Sequence, residues 1–152
     1  MYNLEKIKNK PHEDIAYGVG EAYNLLTKKL TSILKDHDFS LSKFNILMVI
    51  KHVGRNKGIS QEGIGNKLIV TASNMSRMID KLEKEELVRR GAQEGNRRVN
   101  LIFITKKGSD LLDRIWPSYE KRLKEIGSIL SSKDQKILAY LLDKWNKGLS
   151  TE

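Results

Sequence analysis

Thr71-Ala72-Ser73-Asn74-Met75-Ser76-Arg77-Met78-Ile79-Asp80-Lys81-Leu82, then Leu87-Val88-Arg89-Arg90, then Val99-Asn100-Leu101-Ile102-Phe103-Ile104, is the stretch on which the fold turns. In its first part Ala72, Met75, Met78, Ile79 and Leu82 recur at the three- and four-residue steps of one helix face. Thr71 is a candidate N-cap for that helix. The other face carries Ser73, Asn74, Ser76, Arg77, Asp80 and Lys81. The two later runs read as strands. Between them Gly91-Ala92-Gln93-Glu94-Gly95-Asn96-Arg97-Arg98 is polar and holds two glycines, so the pair reads as a hairpin. From residue 87 to 107 six basic residues stand against one acid. That local balance of +5 is more than half of the chain's +9, held in 21 residues.

Upstream, Ser60 caps a short helix containing Ile64 and Leu68, in which Gly63 and Gly65 each cost roughly 1 kcal/mol relative to Ala. Before it, Ser42 is read as the cap of a buried helix with Phe44, Leu47, Met48, Ile50 and Val53, closed by a polar turn over residues 54–58. Earlier still, Ile15, Val19, Ala22, Leu26, Leu30 and Ile33 mark a helical stripe over residues 13–36. Downstream, Thr105 caps a long helix. There Leu112, Trp116, Tyr119, Leu123, Ile126 and Leu130 keep a 3.5-residue period, the seam of a helix lying along another, with Pro117 expected to kink it. Ser132 is read as the cap of a last helix with Ile137, Leu138, Leu141, Leu142 and Trp145. The expected class is mainly α: a winged helix-turn-helix with a two-stranded β wing, flanked by N- and C-terminal helices.

Short helix, turn, second helix with a polar face, then basic hairpin is an order with a physical use. The second helix lies in a DNA major groove, and the hairpin tip enters the adjacent minor groove, where a narrow groove favours arginine. On this reading Ser73, Asn74 and Arg77 meet bases and neighbouring phosphates, while Thr71, Ser76 and Lys81 contact phosphate. Arg97 and Arg98 are the arginines of that hairpin tip. Plainer readings stand beside these. Arg97-Arg98 also suits a solvated hairpin tip, and Arg77 can pair with Asp80 three residues on. Asp80 itself reads as structural, orienting a nearby arginine. Lys106-Lys107, at the unfavourable end of a helix dipole, is either an accident of an exposed face or a sign of phosphate nearby.

Residues 74–84, Asn74-Met75-Ser76-Arg77-Met78-Ile79-Asp80-Lys81-Leu82-Glu83-Lys84, resemble the recognition helix of the MarR family, the multiple-antibiotic-resistance regulators. Leu87-Val88-Arg89-Arg90, Asn96-Arg97-Arg98-Val99-Asn100-Leu101 and Thr105-Lys106-Lys107-Gly108 are similar to that family's wing and the start of its next helix. The resemblance runs in order over about residues 40–112. It implies a homodimer on double-stranded DNA, reading a pseudo-palindromic operator as a transcriptional repressor. It also implies a cleft in which many members bind small aromatic or lipophilic effectors and release DNA. Trp116, Tyr119, Tyr23, Phe44 and Met48 are candidates for its lining, with dimer or domain core as their plainer role. The resemblance puts Arg98 at the family's tip arginine, which enters the minor groove, with Arg97 on a flanking phosphate. Where the family usually places an acid two residues before it, this chain has Asn96, so either Glu94 substitutes or the tip is looser than usual.

The remaining readings are bounds. The 152 residues are expected to form a single domain over 1–152. Its winged core spans about 40–107, and its dimerisation helices about 12–38 and 106–147. With no cysteine there is no disulfide framework, thiol nucleophile or thiol switch. His12, His37 and His52 are too scattered for a local ligand pair, so no metal site and no cofactor are expected, and His52 is read as lying near the core. No phosphate loop or catalytic constellation argues for an enzyme. No apolar run approaches a membrane span, and the N-terminus has no apolar signal core, so a cytoplasmic protein is expected. Two other readings remain open: a winged-helix adaptor for another protein, and a protein that coats DNA with little sequence preference.

Overall fold

The computed structural model describes residues 10–68, 72–93 and 96–151, with backbone alone at Ala72, Gln93 and residues 96–99. The elements in order are α1 (Pro11–Lys35), α2 (Leu41–Val49), β1 (Ile59–Ser60), α3 (Gln61–Gly65), α4 (Ala72–Lys84), β2 (Val88–Gln93), β3 (Asn96–Ile104), α5 (Lys106–Gly127) and α6 (Ser132–Leu149). The chain divides into two compact units, Met1–Trp116 and Pro117–Glu152.

In the first unit the core is built from one face of each element. Ile33 and Leu34 come from α1, Phe44, Ile46 and Leu47 from α2, and Ile64 from α3. Met75, Ile79 and Leu82 come from α4, Val88 and Ile102 from the sheet, and Leu112 and Ile115 from α5. The sheet is antiparallel in the order β1-β3-β2. β1 is only two residues long, pairing Ile59 with Ile102 and Ser60 with Leu101. It adds a third strand to the expected two, and two residues carry no alternation from which to read it.

The hairpin register is regular from Val88↔Ile104 to Ala92↔Asn100. It then slips, so that Gln93 faces Asn96, and residues 97–99 have no opposite number in the described register. The expected tip arginines thus fall on the irregular part of β3. Their side chains, together with Thr71 and Glu94, lie outside the described residues.

Several local expectations change. Ser40, not Ser42, caps α2: it has the extended backbone an N-cap needs, and its Oγ accepts from the Lys43 N–H at 3.3 Å. Likewise Ser131, not Ser132, caps α6, accepting from the Asp134 N–H at 3.2 Å. In both pairs the second serine is already helical. α2 runs on into a π-helical turn over Ile50–Gly54. That wider turn rotates the following side chains off the helix face, so Val53 and His52, both expected inside, are exposed. α3 ends at Gly65, leaving Leu68 in the turn beyond it, and α5 ends at Gly127, short of Leu130.

Large apolar side chains on the outer helices are left uncovered in the single chain. On α1 these include Ile15, Tyr23 and Leu25; on α6 they include Ile137, Leu138 and Leu141, and no residue of α6 is buried.

Candidate nucleic-acid interface

The helix-turn-helix begins with Ser60, whose Oγ caps α3 by accepting from the Gly63 N–H at 3.0 Å. Ile64 is fully buried and anchors this five-residue helix, which propensity alone would not hold. Gln61 Nε2 donates to Ser76 Oγ at 2.7 Å, clasping α3 to α4. Ser76, an expected phosphate contact, is therefore half-buried between the two helices.

With Met75, Ile79 and Leu82 turned inward, α4 exposes Ser73, Asn74, Arg77, Asp80 and Lys81. Asn74, Arg77, Lys81 and Lys84 step by three, four and three, one stripe along the helix. Among the described residues Arg77, Lys81 and Lys84 form no ion pair. Several basic residues nearby are occupied: Lys43 by Glu85, Lys51 by Asp113, Lys107 by Glu86 and Lys106 by Asp110. The last two pairs set carboxylates beside Lys106 and Lys107 at the start of α5. Hydrogen bonds from lysine hold the carboxyls of Glu86 and Asp113 below the usual carboxylate range, and Asp110 raises Lys106.

Arg77 does not pair with Asp80. The arginine that Asp80 orients is Arg90 on β2, which also donates to Glu83 one helical turn further along. Its backbone N–H donates to Glu83 Oε1 at 3.1 Å. The hydrogen bond to Asp80 raises the Arg90 guanidinium further above its ordinary value. Arg90 thus ties the wing to α4, a role the sequence left to an unnamed arginine. Its neighbour Arg89 lies over the Phe103 ring, 4.4 Å from the centroid. Gly58, at φ +71, abuts the same ring so closely that a Cβ there would sit 2.7 Å from it.

Of the expected cleft residues, Phe44 and Tyr119 are buried, Met48 is half-buried, and Tyr23 and Trp116 are exposed. Burial pushes the Tyr119 hydroxyl up. Among the described residues no group of three His, Asp or Glu side chains could hold a metal ion. No described helix is long and apolar enough to cross a membrane.

Residues 39–99 match the model of the MarR family, covering the helix-turn-helix and most of the wing. YkoM of Bacillus subtilis strain 168, an uncharacterized HTH-type transcriptional regulator, is 31% identical over 72% of this chain and 70% of its own. The chain belongs to the MarR family. It is therefore a winged-helix transcriptional regulator and not an enzyme. MhqR, another HTH-type transcriptional regulator of B. subtilis 168, is 28% identical over 83% of this chain and 85% of its own. Two solved structures share the MarR fold at lower identity. MepR of S. aureus, in complex with DNA, has a TM-score of 0.76 at 19% identity, covering 88% of this chain and 96% of that one. CouR of Rhodococcus jostii RHA1, bound to p-coumaroyl-CoA, has a TM-score of 0.76 at 18% identity, covering 86% and 90%.

Proposed function

We propose that this MarR-family regulator binds a pseudo-palindromic operator as a homodimer, acts as a repressor, and releases DNA on binding a small lipophilic or aromatic effector. The observation that carries DNA binding is the stripe of Arg77, Lys81 and Lys84, cations without carboxylate partners among the described residues, on the exposed face of α4. Unpaired cations along a helix face release counterions when they meet phosphate. Ser73, Asn74 and Arg77 meet base edges and adjacent phosphates; Thr71, Ser76 and Lys81 meet phosphate. Arg98 enters the minor groove with Arg97 on the flanking backbone. The winged core spans about residues 40–107 of one domain, with dimerisation helices over about 12–38 and 106–147. The apolar side chains exposed on α1 and on α6 support dimerisation, since leaving so many in water costs free energy that a second copy recovers. The fold shared with a CoA-thioester-bound relative supports an effector. Such a protein works where the DNA is, in the cytoplasm.

The test is anisotropy of a labelled duplex from upstream of the protein's own gene, beside a scrambled duplex of equal length. A preference of about 10³-fold or more is expected of a specific regulator. Equal binding to both duplexes would favour a nonspecific DNA coat, and no binding at low salt would favour an adaptor.

A further inference from the structure

A helix that faces phosphate gains nothing from carboxylates, yet α4 carries Asp80 beside Lys81, and Glu83 beside Lys84. The Asp80 side chain is 63% exposed and the Glu83 side chain 37%. Both acids turn to the same residue. One nitrogen of the Arg90 guanidinium donates to Asp80 Oδ1 and the other to Glu83 Oε2, while the Arg90 backbone N–H donates to Glu83 Oε1. The planar guanidinium fork serves two carboxylates one helical turn apart through separate nitrogens in a fixed geometry, which the compact ammonium of a lysine does not pre-organise.

We propose that Arg90 is a positioning residue of the DNA-binding surface, which masks Asp80 and Glu83 from the DNA while joining β2 to α4. The two acids are the anchor of the wing, and Arg90 makes that anchor tolerable next to phosphate. This inference rests on the DNA-binding reading above. Arg90 itself touches no base or phosphate in it, and acts through the charges it covers.

The experiment titrates a labelled upstream duplex with wild type, Arg90→Met, Arg90→Met/Asp80→Asn/Glu83→Gln, and Asp80→Asn/Glu83→Gln, at several salt concentrations. Circular dichroism checks that each variant is folded. Arg90→Met is expected to bind about tenfold more weakly at low salt, with the deficit shrinking as salt rises. Neutralising the two acids on top is expected to restore binding to within about threefold of wild type, since the repulsion is gone even though the clasp is not rebuilt. Were Arg90 merely structural, that rescue would fail. The variant with Arg90 intact and both acids neutral is expected to bind more tightly than wild type, with a steeper salt dependence. It provides the test if Arg90→Met does not fold.

Unchanged binding by Arg90→Met, a triple variant as weak as Arg90→Met, or a double variant no tighter than wild type would each overturn the masking role. Wild type that binds no duplex removes the DNA reading and this inference together. Wild-type binding with unmoved variants removes this inference alone.

Discussion

Replacing Gly108 with Ala should destabilise the protein, against the usual direction for a glycine in a helix. Gly108 lies in the first turn of α5, where helix propensity alone favours Ala by roughly 0.5–1 kcal/mol. A Cβ at this position, however, would stand 2.2 Å from the Leu87 carbonyl oxygen and 3.0 Å from Ile104 Cγ1. The oxygen is backbone and cannot swing aside. It also accepts the Thr105 N–H at 3.1 Å, in a joint where Thr105 Oγ1 donates to the Glu86 carbonyl and accepts from the Gly108 N–H. Clearing the overlap moves the start of α5 by about 1 Å, an overpacking strain of about 1–3 kcal/mol. Losing the Thr105 hydrogen bond adds about 0.5–1.5 kcal/mol. Strain and the lost bond together exceed propensity, with a net loss of about 0.5–4 kcal/mol. Gly65 is the internal control: nothing lies within 4 Å of its Cβ position, so Gly65→Ala should gain up to about 1 kcal/mol. Urea unfolding at matched protein concentration measures both, since the midpoint of the proposed dimer would depend on concentration. A Gly108→Ala protein as stable as wild type would refute the reasoning, because it would mean the joint between β2 and α5 gives way without cost.

Further outcomes follow from other local features. Glu86 ends α4 at φ +61, with the Leu87 N–H reaching back to the Leu82 carbonyl, so Glu86→Gly should relieve about 1 kcal/mol of left-handed strain and outweigh its exposed pair with Lys107; an unchanged or lower urea midpoint would contradict this. Ser60→Ala, which removes the α3 cap, should cost about 1 kcal/mol in the same assay. The Lys51 hydrogen bond depresses the Asp113 carboxyl, so this pair's contribution is present above the ordinary carboxylate pKa and fades as pH falls through the depressed one. Lys51→Met should therefore flatten the acid limb of a stability–pH curve below about pH 4, and an identical limb would refute the assignment.

Much of this molecule is legible in the chain because its helices bury one face each. Met75, Ile79 and Leu82 recur at helical spacing, and all three are in the core. The hairpin is legible for a different reason: two strand-like runs flank a glycine-bearing polar segment. What stays hidden depends on three-dimensional approach. β1 exists only because Ile59 and Ser60 lie beside β3. The π-helical turn that exposes Val53 leaves no mark in spacing. Cap choice between two nearby serines is settled by backbone angle, which composition does not record. At the interface, the exposure of Asn74, Arg77 and Lys81 follows from periodicity. The partner of Asp80 does not, because Arg90 reaches it across the turn from β2, and Gln61 finds Ser76 in the same way.

The central claim is that α4 meets DNA through Arg77, Lys81 and Lys84, which have no carboxylate partner among the described residues. Its most direct test is the slope of log affinity against log salt for wild type, Arg77→Ala and Lys81→Ala on one upstream duplex. Each lost phosphate contact should lower the slope by about one and weaken binding. Arg77→Ala should in addition narrow the gap between native and scrambled duplexes, by about 1–3 kcal/mol if it reads a base. Slopes and affinities that match wild type for both variants would contradict the claim and move the DNA surface off α4.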